Sequence, residues 1–326
     1  MSLNTTLSGM IAIQSENLDN LNDLNCFEQI YIFGDSLSDP GNLFSITEGA
    51  FPSAPPYPQQ RFSNGLVWSE YFMLKLGLNL TPFTHSSPSG DGINFAVGGA
   101  TTGDINVNGA TFPSLQQQLN TFIKPLNQAQ QQANSEALYI LWAGANDYLG
   151  GQMTTPVHPV TNLSQAIESL YQVGARHILV FNLPELGDTP LARHSEGVSS
   201  SQLNQLSNAH NALLKTAVAE LRQSLRGIQL GLVDIQGLFK MVIANPRQFG
   251  LTNVTDSCIV VACSDSDQYL FWDQLHPTTY AHQIIAETVF STLQLHSKAV
   301  GQPEIISELG NKLTFFKSLI SNQRRA

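Results

Sequence analysis

Five short apolar runs recur along the chain, each bounded by turn-forming residues and separated by longer stretches of helical period. They are IYIF around 31–34, INFAV (93–97), LYILWA (138–143), HILVFNL (177–183) and QLGLVD (229–234). A strand with one wet face alternates apolar and polar residues. These runs are apolar at nearly every position, so both faces need cover, as in buried parallel strands. The stretches between them can supply that cover. One helical pattern follows Asn64. Another runs from Ser114, with a kink expected before Pro125, which has no N–H to donate. A third covers Leu163 to Val173 and ends at Gly174. In SQLNQLSNAHNALLKTAVAELRQSLRG, residues Leu203, Leu206, His210, Leu213, Ala217, Leu221 and Leu225 keep the helical period until Gly227 stops it. His210 on that stripe reads as a core or rim histidine. Five strands with intervening helices predict an α/β fold, a parallel sheet covered on both faces. One domain is expected over 28–326, after an N-terminal extension at 1–27.

The chain of 326 residues is 42% hydrophobic and 12% charged, enough apolar material for a sizeable core. Its 15 Lys+Arg against 25 Asp+Glu give a formal charge of -10, which argues against nucleic-acid binding and would repel a strongly anionic substrate. The three cysteines, Cys26, Cys258 and Cys263, show no metal-ligand spacing. Cys258 and Cys263 are close enough to pair in an oxidising compartment. Residues 1–27 lack the apolar core of a signal peptide, and no run reaches the length of a membrane span. A cytoplasmic protein is the default expectation, a secreted or periplasmic one if a leader has been removed. Three long stretches rich in Pro, Gly, Ser and Thr, at 44–61, at 84–92 with 101–113, and at 146–160, read as loops. In an open parallel sheet such loops wall a site beyond the carboxyl ends of the strands.

The first run ends in FGDSLSDPGN, which places Ser36 at such a strand end. A serine hydroxyl is a poor nucleophile unless a base takes its proton, and that base needs a carboxylate to orient it. Of the eight histidines only His276, in FWDQLHPTTY, has a carboxylate placed locally to do so, Asp273 three residues earlier. Pro277 is expected to start the last helix. An ester hydrolase also needs donors aimed at a developing oxyanion. NFAVGGATTG puts Gly98 and Gly99 past the second run, where glycine lets backbone N–H groups approach a ligand. WAGANDYLG puts Asn146, with its amide donors, past the third. Each segment alone reads equally as a turn; four of them in this order do not.

FGDSLSDPGN, INFAVGGAT, GAND (144–147) and WDQLHPT together resemble the sequence blocks of the GDSL-type lipases/esterases of the SGNH hydrolase superfamily. FNLPELGDTP (181–190) resembles the connecting segment after the fourth strand. The resemblance covers residues 28 to about 293, closest to the bacterial lipase/phospholipase-like members and the plant GDSL esterases. It implies a flavodoxin-like three-layer α/β/α sandwich with a five-stranded parallel sheet. It implies Ser36 as nucleophile, Asp273 and His276 as its partners, and an oxyanion hole from Ser36, Gly99 and Asn146. Gly99 is preferred to Gly98. Asp35 and Asn42 are expected to organise the loop around Ser36, and Asp147 the turn behind Asn146; Asp39 need not act chemically. No metal or organic cofactor is implied. The substrate expected is a small-molecule or lipid ester, fatty-acyl or aryl, with phospholipase, lysophospholipase or acyltransferase action as alternatives on the same residues. A lipid- or glycan-binding module without activity is disfavoured because no member of the triad is missing. Neither G-x-S-x-G, the Walker pattern nor HExxH occurs. Tyr57, Phe62, Phe112, Tyr148 and Met153 in the long loops either line an apolar groove or pack those loops. Ile306, Leu309, Leu313, Phe316 and Ile320 keep a helical period in the C-terminal stretch. That helix either packs on the domain or makes weak membrane-surface contact.

Overall fold

The apolar runs become strands whose alternate residues feed two separate cores. The computed structural model describes residues 27–85, 91–150, 152–194 and 199–299. Strands β1 (Ile30–Gly34), β2 (Leu80–Pro82), β3 (Gly92–Asn94), β4 (Leu138–Trp142), β5 (His177–Phe181) and β6 (Gln229–Val233) form one sheet in the order β2-β3-β1-β4-β5-β6. Every pairing in it is parallel. The sheet has six strands where five were expected. β2 was missed because Leu-Thr-Pro is three residues long and only half buried at the sheet's edge, where a proline is tolerated. INFAV forms ladder only at its start. Beyond Asn94 it still follows β1 through Phe95 N–H to Ile32 O (2.7 Å) and Val97 N–H to Gly34 O (3.1 Å).

The helices are α1 (Asn42–Ile46), α2 (Trp68–Leu76), α3 (Leu115–Ala129), α4 (Ala145–Leu149), α5 (Val157–Gln172), α6 (Pro190–His194), α7 (Ser200–Ser224), α8 (Ile235–Ala244), α9 (Cys258–Val261) and α10 (Thr279–Ala299). Ile30, Ile32, Leu138, Ile140, Trp142 and Phe181 pack with α2, α8 and α10. Phe33, Tyr139, Leu141, Ile178 and Val180 pack with α3, α5 and α7 on the other face. That is the three-layer arrangement the runs require. Trp68, Trp142 and Phe181 meet at ring centroid distances of 4.9 to 6.0 Å and are buried. Each such side chain contributes about 1.5–3 kcal/mol by leaving water.

Ser114 opens α3 as expected, its hydroxyl accepting from Gln117 N–H, and the helix runs past Pro125 to Ala129. The predicted loop at 146–160 is about half helical, with α4 at its start and the first turn of α5 at its end, and residues 152–156 between them are non-helical. Pro277 does not start the last helix. It bridges Phe271, and Thr278 caps α10 by accepting the Ala281 N–H at 3.2 Å. A small parallel pair, β7 (Asn253–Ser257) and β8 (Tyr269–Phe271), sits beside this segment. Cys258 and Cys263 are disulfide-bonded. Among the described residues no helix is long and apolar enough to cross a membrane. Cys26, the N-terminal segment and the C-terminal apolar stripe lie outside the described residues.

The connections place the site. From β1 the chain turns toward β2 and β3; from β4 it runs the other way to β5 and β6. Connections that part in opposite directions leave a crevice beyond the carboxyl ends of the two strands, where ligands bind in open α/β sheets. Ser36 follows β1 and Asn146 follows β4.

Candidate active site

β1 closes on Gly34, opposite Trp142 of β4. A Cβ there would lie 2.5 Å from the Trp142 carbonyl oxygen, so glycine lets the two strands stay paired to their last residue. The Gln118 amide clamps this end. Its Oε1 accepts the Gly34 N–H at 2.9 Å, and its Nε2 donates to the Gly34 carbonyl at 2.8 Å. The chain then turns. Ser38 N–H donates to Asp35 O, and Leu37 N–H to Asp35 Oδ1. Ser36 lies within that turn, 8% exposed.

Asp39 holds the turn in place, a role the sequence reading did not assign to it. Its carboxylate accepts N–H donors from Gly41 and Asn42 on Oδ1, and from Leu43 and Gly98 on Oδ2. One buried side chain thus ties the loop after β1 to the glycine turn after β3. The signal was present in Asp-Pro-Gly-Asn, since an aspartate two to four residues before free N–H groups accepts from them. Asn42 donates from Nδ2 to the Asn94 and Ala96 carbonyls, both at 2.9 Å, while Oδ1 accepts from the Thr84 hydroxyl.

Asp273 and His276 share one tight turn. Asp273 Oδ1 accepts the N–H groups of Leu275 and His276, each at 2.7 Å. The turn is pinned by Trp272 N–H to His276 O and by Leu191 N–H to Gln274 O. The ring of His276 is thereby set between two groups. Nδ1 stands 2.7 Å from Asp273 Oδ2, and Nε2 stands 2.8 Å from Ser36 Oγ. With the carboxylate on Nδ1, that nitrogen carries the proton, so Nε2 accepts from the serine hydroxyl. Three residues up to 240 positions apart meet in one relay.

The glycine turn and α4 meet the same strand ends. Gly98 N–H is occupied by Asp39, whereas neither Gly99 N–H nor Ser36 N–H has an acceptor among the described residues. Gly99 has φ +80°, and a Cβ there would lie 2.2 Å from Asn108 Nδ2, so glycine is required. Asn146 donates one amide N–H to Ala100 O at 3.0 Å. Asp147 accepts from both the N–H and the hydroxyl of Thr102. Asn146 and Asp147 therefore fasten α4 to the segment after Gly99, the support expected of Asp147. His210 is buried under α4, its Nδ1 bonded to the Tyr148 hydroxyl at 2.8 Å, and burial lowers it to about 4.

Electrostatics favour a charged Asp273 and a polarised His276. Burial works to raise the Asp273 carboxyl. The His276 ring and the two backbone N–H donors outweigh it and hold Asp273 at about 2. For His276, burial works to lower the imidazole, and Asp273, with help from Asp35, raises it above its ordinary value. Asp35 accepts the Leu37 N–H on its carboxyl, and burial outweighs its hydrogen bonds and pushes it up to about 7. Among the described residues no group of three or more His, Cys, Asp or Glu stands where it could hold a metal ion.

Ser36, His276 and Asn146 open on a cleft whose empty space, counted out to its mouth, is about 710 Å³. Its apolar wall comes from Leu37, Ala145, Leu149, Leu186, Phe239 and Ile243, and its rim carries Glu185, ion-paired with Lys240 at 2.8 Å. None of the five loop residues considered for a groove lines it. Tyr148 is buried against His210, Phe62 and Phe112 pack near Leu43 and Val97, and Met153 is exposed. Tyr57 reaches the other side of the site and donates its hydroxyl to Asp273 Oδ2 at 2.7 Å. The cleft residues were missed because Phe239 and Ile243 lie on an ordinary amphipathic helix, with no local mark of exposure to a ligand.

The sequence matches the GDSL-like lipase/acylhydrolase family over residues 30–289. It is 28% identical to a GDSL esterase/lipase of Arabidopsis thaliana, over 87% of this chain and 89% of that one. It is 29% identical to the phosphatidylcholine-sterol acyltransferase of Aeromonas hydrophila, over 86% of this chain and 93% of that one.

Proposed function

This chain belongs to the GDSL-like lipase/acylhydrolase family and is a serine-dependent ester hydrolase, and we propose that Ser36, His276 and Asp273 carry out its chemistry. The carrying observation is the unbroken relay from Asp273 Oδ2 through the imidazole to Ser36 Oγ, at 2.7 and 2.8 Å, beside an apolar cleft. Ser36 Oγ attacks the ester carbonyl carbon as its proton passes to His276 Nε2. Asp273 holds the Nδ1 proton and stabilises the imidazolium. The N–H groups of Ser36 and Gly99 and the spare amide N–H of Asn146 are the donors for the oxyanion. Collapse expels the alcohol, which takes the proton from Nε2. Water then repeats the sequence on the acyl-enzyme and releases the acid.

The apolar wall suits a fatty-acyl or aryl group better than a small polar one, and Lys240, which also lines the cleft, is held in an ion pair with Glu185. An acyl acceptor other than water is a second reading, favoured by the acyltransferase of Aeromonas hydrophila. Hydrolysis of p-nitrophenyl esters of increasing acyl length, alongside Ser36→Ala, tests the main reading. Activity on at least the medium chains is expected, reduced by about 10³-fold or more in the variant. Undiminished hydrolysis by Ser36→Ala would sink it. Adding an acceptor alcohol to the same assay separates hydrolysis from transfer by the product formed.

A further inference from the structure

Tyr57 belongs to the long loop at 44–61, 216 positions from Asp273, yet its hydroxyl donates to the oxygen that also receives His276 Nδ1. Asp273 thus has all four of its acceptor directions in use. Oδ1 takes two backbone N–H groups, and Oδ2 takes the imidazole and the phenol. The loop is built to hold this contact. Tyr57 packs against Phe62 with ring centroids at 6.1 Å, Phe51 meets Phe62 at 5.4 Å, and Phe62 lies 5.1 Å from the His276 ring. Burial and the Asp273 charge both raise the Tyr57 phenol, so it remains a donor wherever the enzyme works.

We propose that Tyr57 is a positioning residue that clamps Asp273 through its hydroxyl and thereby moderates the basicity of His276. The inference rests on the proposed role of His276 as base. A donor on Oδ2 draws charge away from the imidazole and weakens the pull of Asp273 on a proton. The other titratable groups facing His276 are Asp35 at the end of β1 and His282 on α10. Glu185, Lys240 and Asp188 share the cleft with it. Among the described residues none of these five is hydrogen-bonded to Asp273, whereas Tyr57 is.

Tyr57→Phe keeps the ring on Phe62 and removes only the donor. One net hydrogen bond corresponds to an upward shift of about half to one pH unit in the acid limb of kcat/KM. Activity below the limb should drop roughly three- to tenfold, while kcat on the alkaline plateau stays close to that of the parent. An unmoved limb with a lowered plateau, or a change in KM alone, would overturn the proposal. Incorporating 3-fluorotyrosine, a stronger donor, should move the limb the opposite way, and a shift in the same direction as Tyr57→Phe would also count against it. The His276 titration is followed by NMR in Ser36→Ala chains with and without Tyr57→Phe. It should rise with the second change, and equal titrations would overturn the clamp. Hydrolysis surviving in Ser36→Ala would instead fault the triad assignment, with the NMR arm still deciding on Tyr57.

Discussion

At the residue scale, the two aspartates that flank Ser36 in sequence are both buried and both raised by it, Asp39 to about 6 and Asp35 to about 7, and they differ in the N–H donors that face them. Asp39 is saturated with four backbone N–H donors, whereas Asp35 accepts the Leu37 N–H and lies beside Asp147 in a buried pocket. Asp35 is raised from 3.8 in the unfolded chain to about 7 in the folded one. Between those values the folded protein holds a proton that the unfolded chain has lost, so this group's contribution to stability falls as pH rises from about 4 to about 7. Asn keeps the acceptor for Leu37 and never ionises. Asp35→Asn should therefore match the parent's melting temperature near pH 4 and exceed it by several degrees at pH 8, on the order of 1–3 kcal/mol. Equal melting temperatures at both pH values would show that Asp35 is not penalised by burial. Local sequence gives Asp39 three of its donors, Gly41, Asn42 and Leu43, and the fold adds the fourth, Gly98.

At the scale of elements, the site depends on α4 being set from both sides. The segment after Gly99 holds it through Ala100 and Thr102, and α7 supports it through His210. His210 reads from the sequence as a core or rim histidine. It is a core residue, and its ring lies 3.0 Å from where a Cβ on Gly144 would stand. Tyr148→Phe would leave the buried His210 Nδ1 without its partner, and Nε2 has none among the described residues. A loss of about 1–3 kcal/mol in chemical denaturation is expected. Because α4 carries Asn146, a proposed oxyanion donor, kcat should fall more than KM rises; an effect confined to KM would separate Tyr148 from that role. α4 itself was read as the start of a loop. Its five residues, Ala-Asn-Asp-Tyr-Leu between Gly144 and Gly150, are too few to show a helical period, and Ala145 and Tyr148 hold the short helix by packing with Leu183 and Leu186.

At the scale of the whole molecule, the sheet brings strand ends from distant parts of the chain to one crevice, and α8 closes its apolar side with Phe239 and Ile243. Ile243→Trp should narrow the cleft and move the preferred acyl length of p-nitrophenyl esters shorter, with kcat/KM for the longest chain falling about tenfold or more. An unchanged length profile would place the acyl group elsewhere. The sequence alone determined the α/β class, five of the six strands of the main sheet and the helix opened by Ser114, and it singled out Ser36, Asp273 and His276, which the fold brings into one hydrogen-bonded chain. It could do so because strand burial on two faces and short turn motifs are local signals, read within about ten residues. The sixth strand of the main sheet, the contact of Asp39 with Gly98, the Tyr57 contact with Asp273 and the wall of the cleft were decided by tertiary structure. Each of these is a relation between segments tens to hundreds of residues apart, and a side chain's own neighbours in sequence do not record which distant backbone groups it will meet.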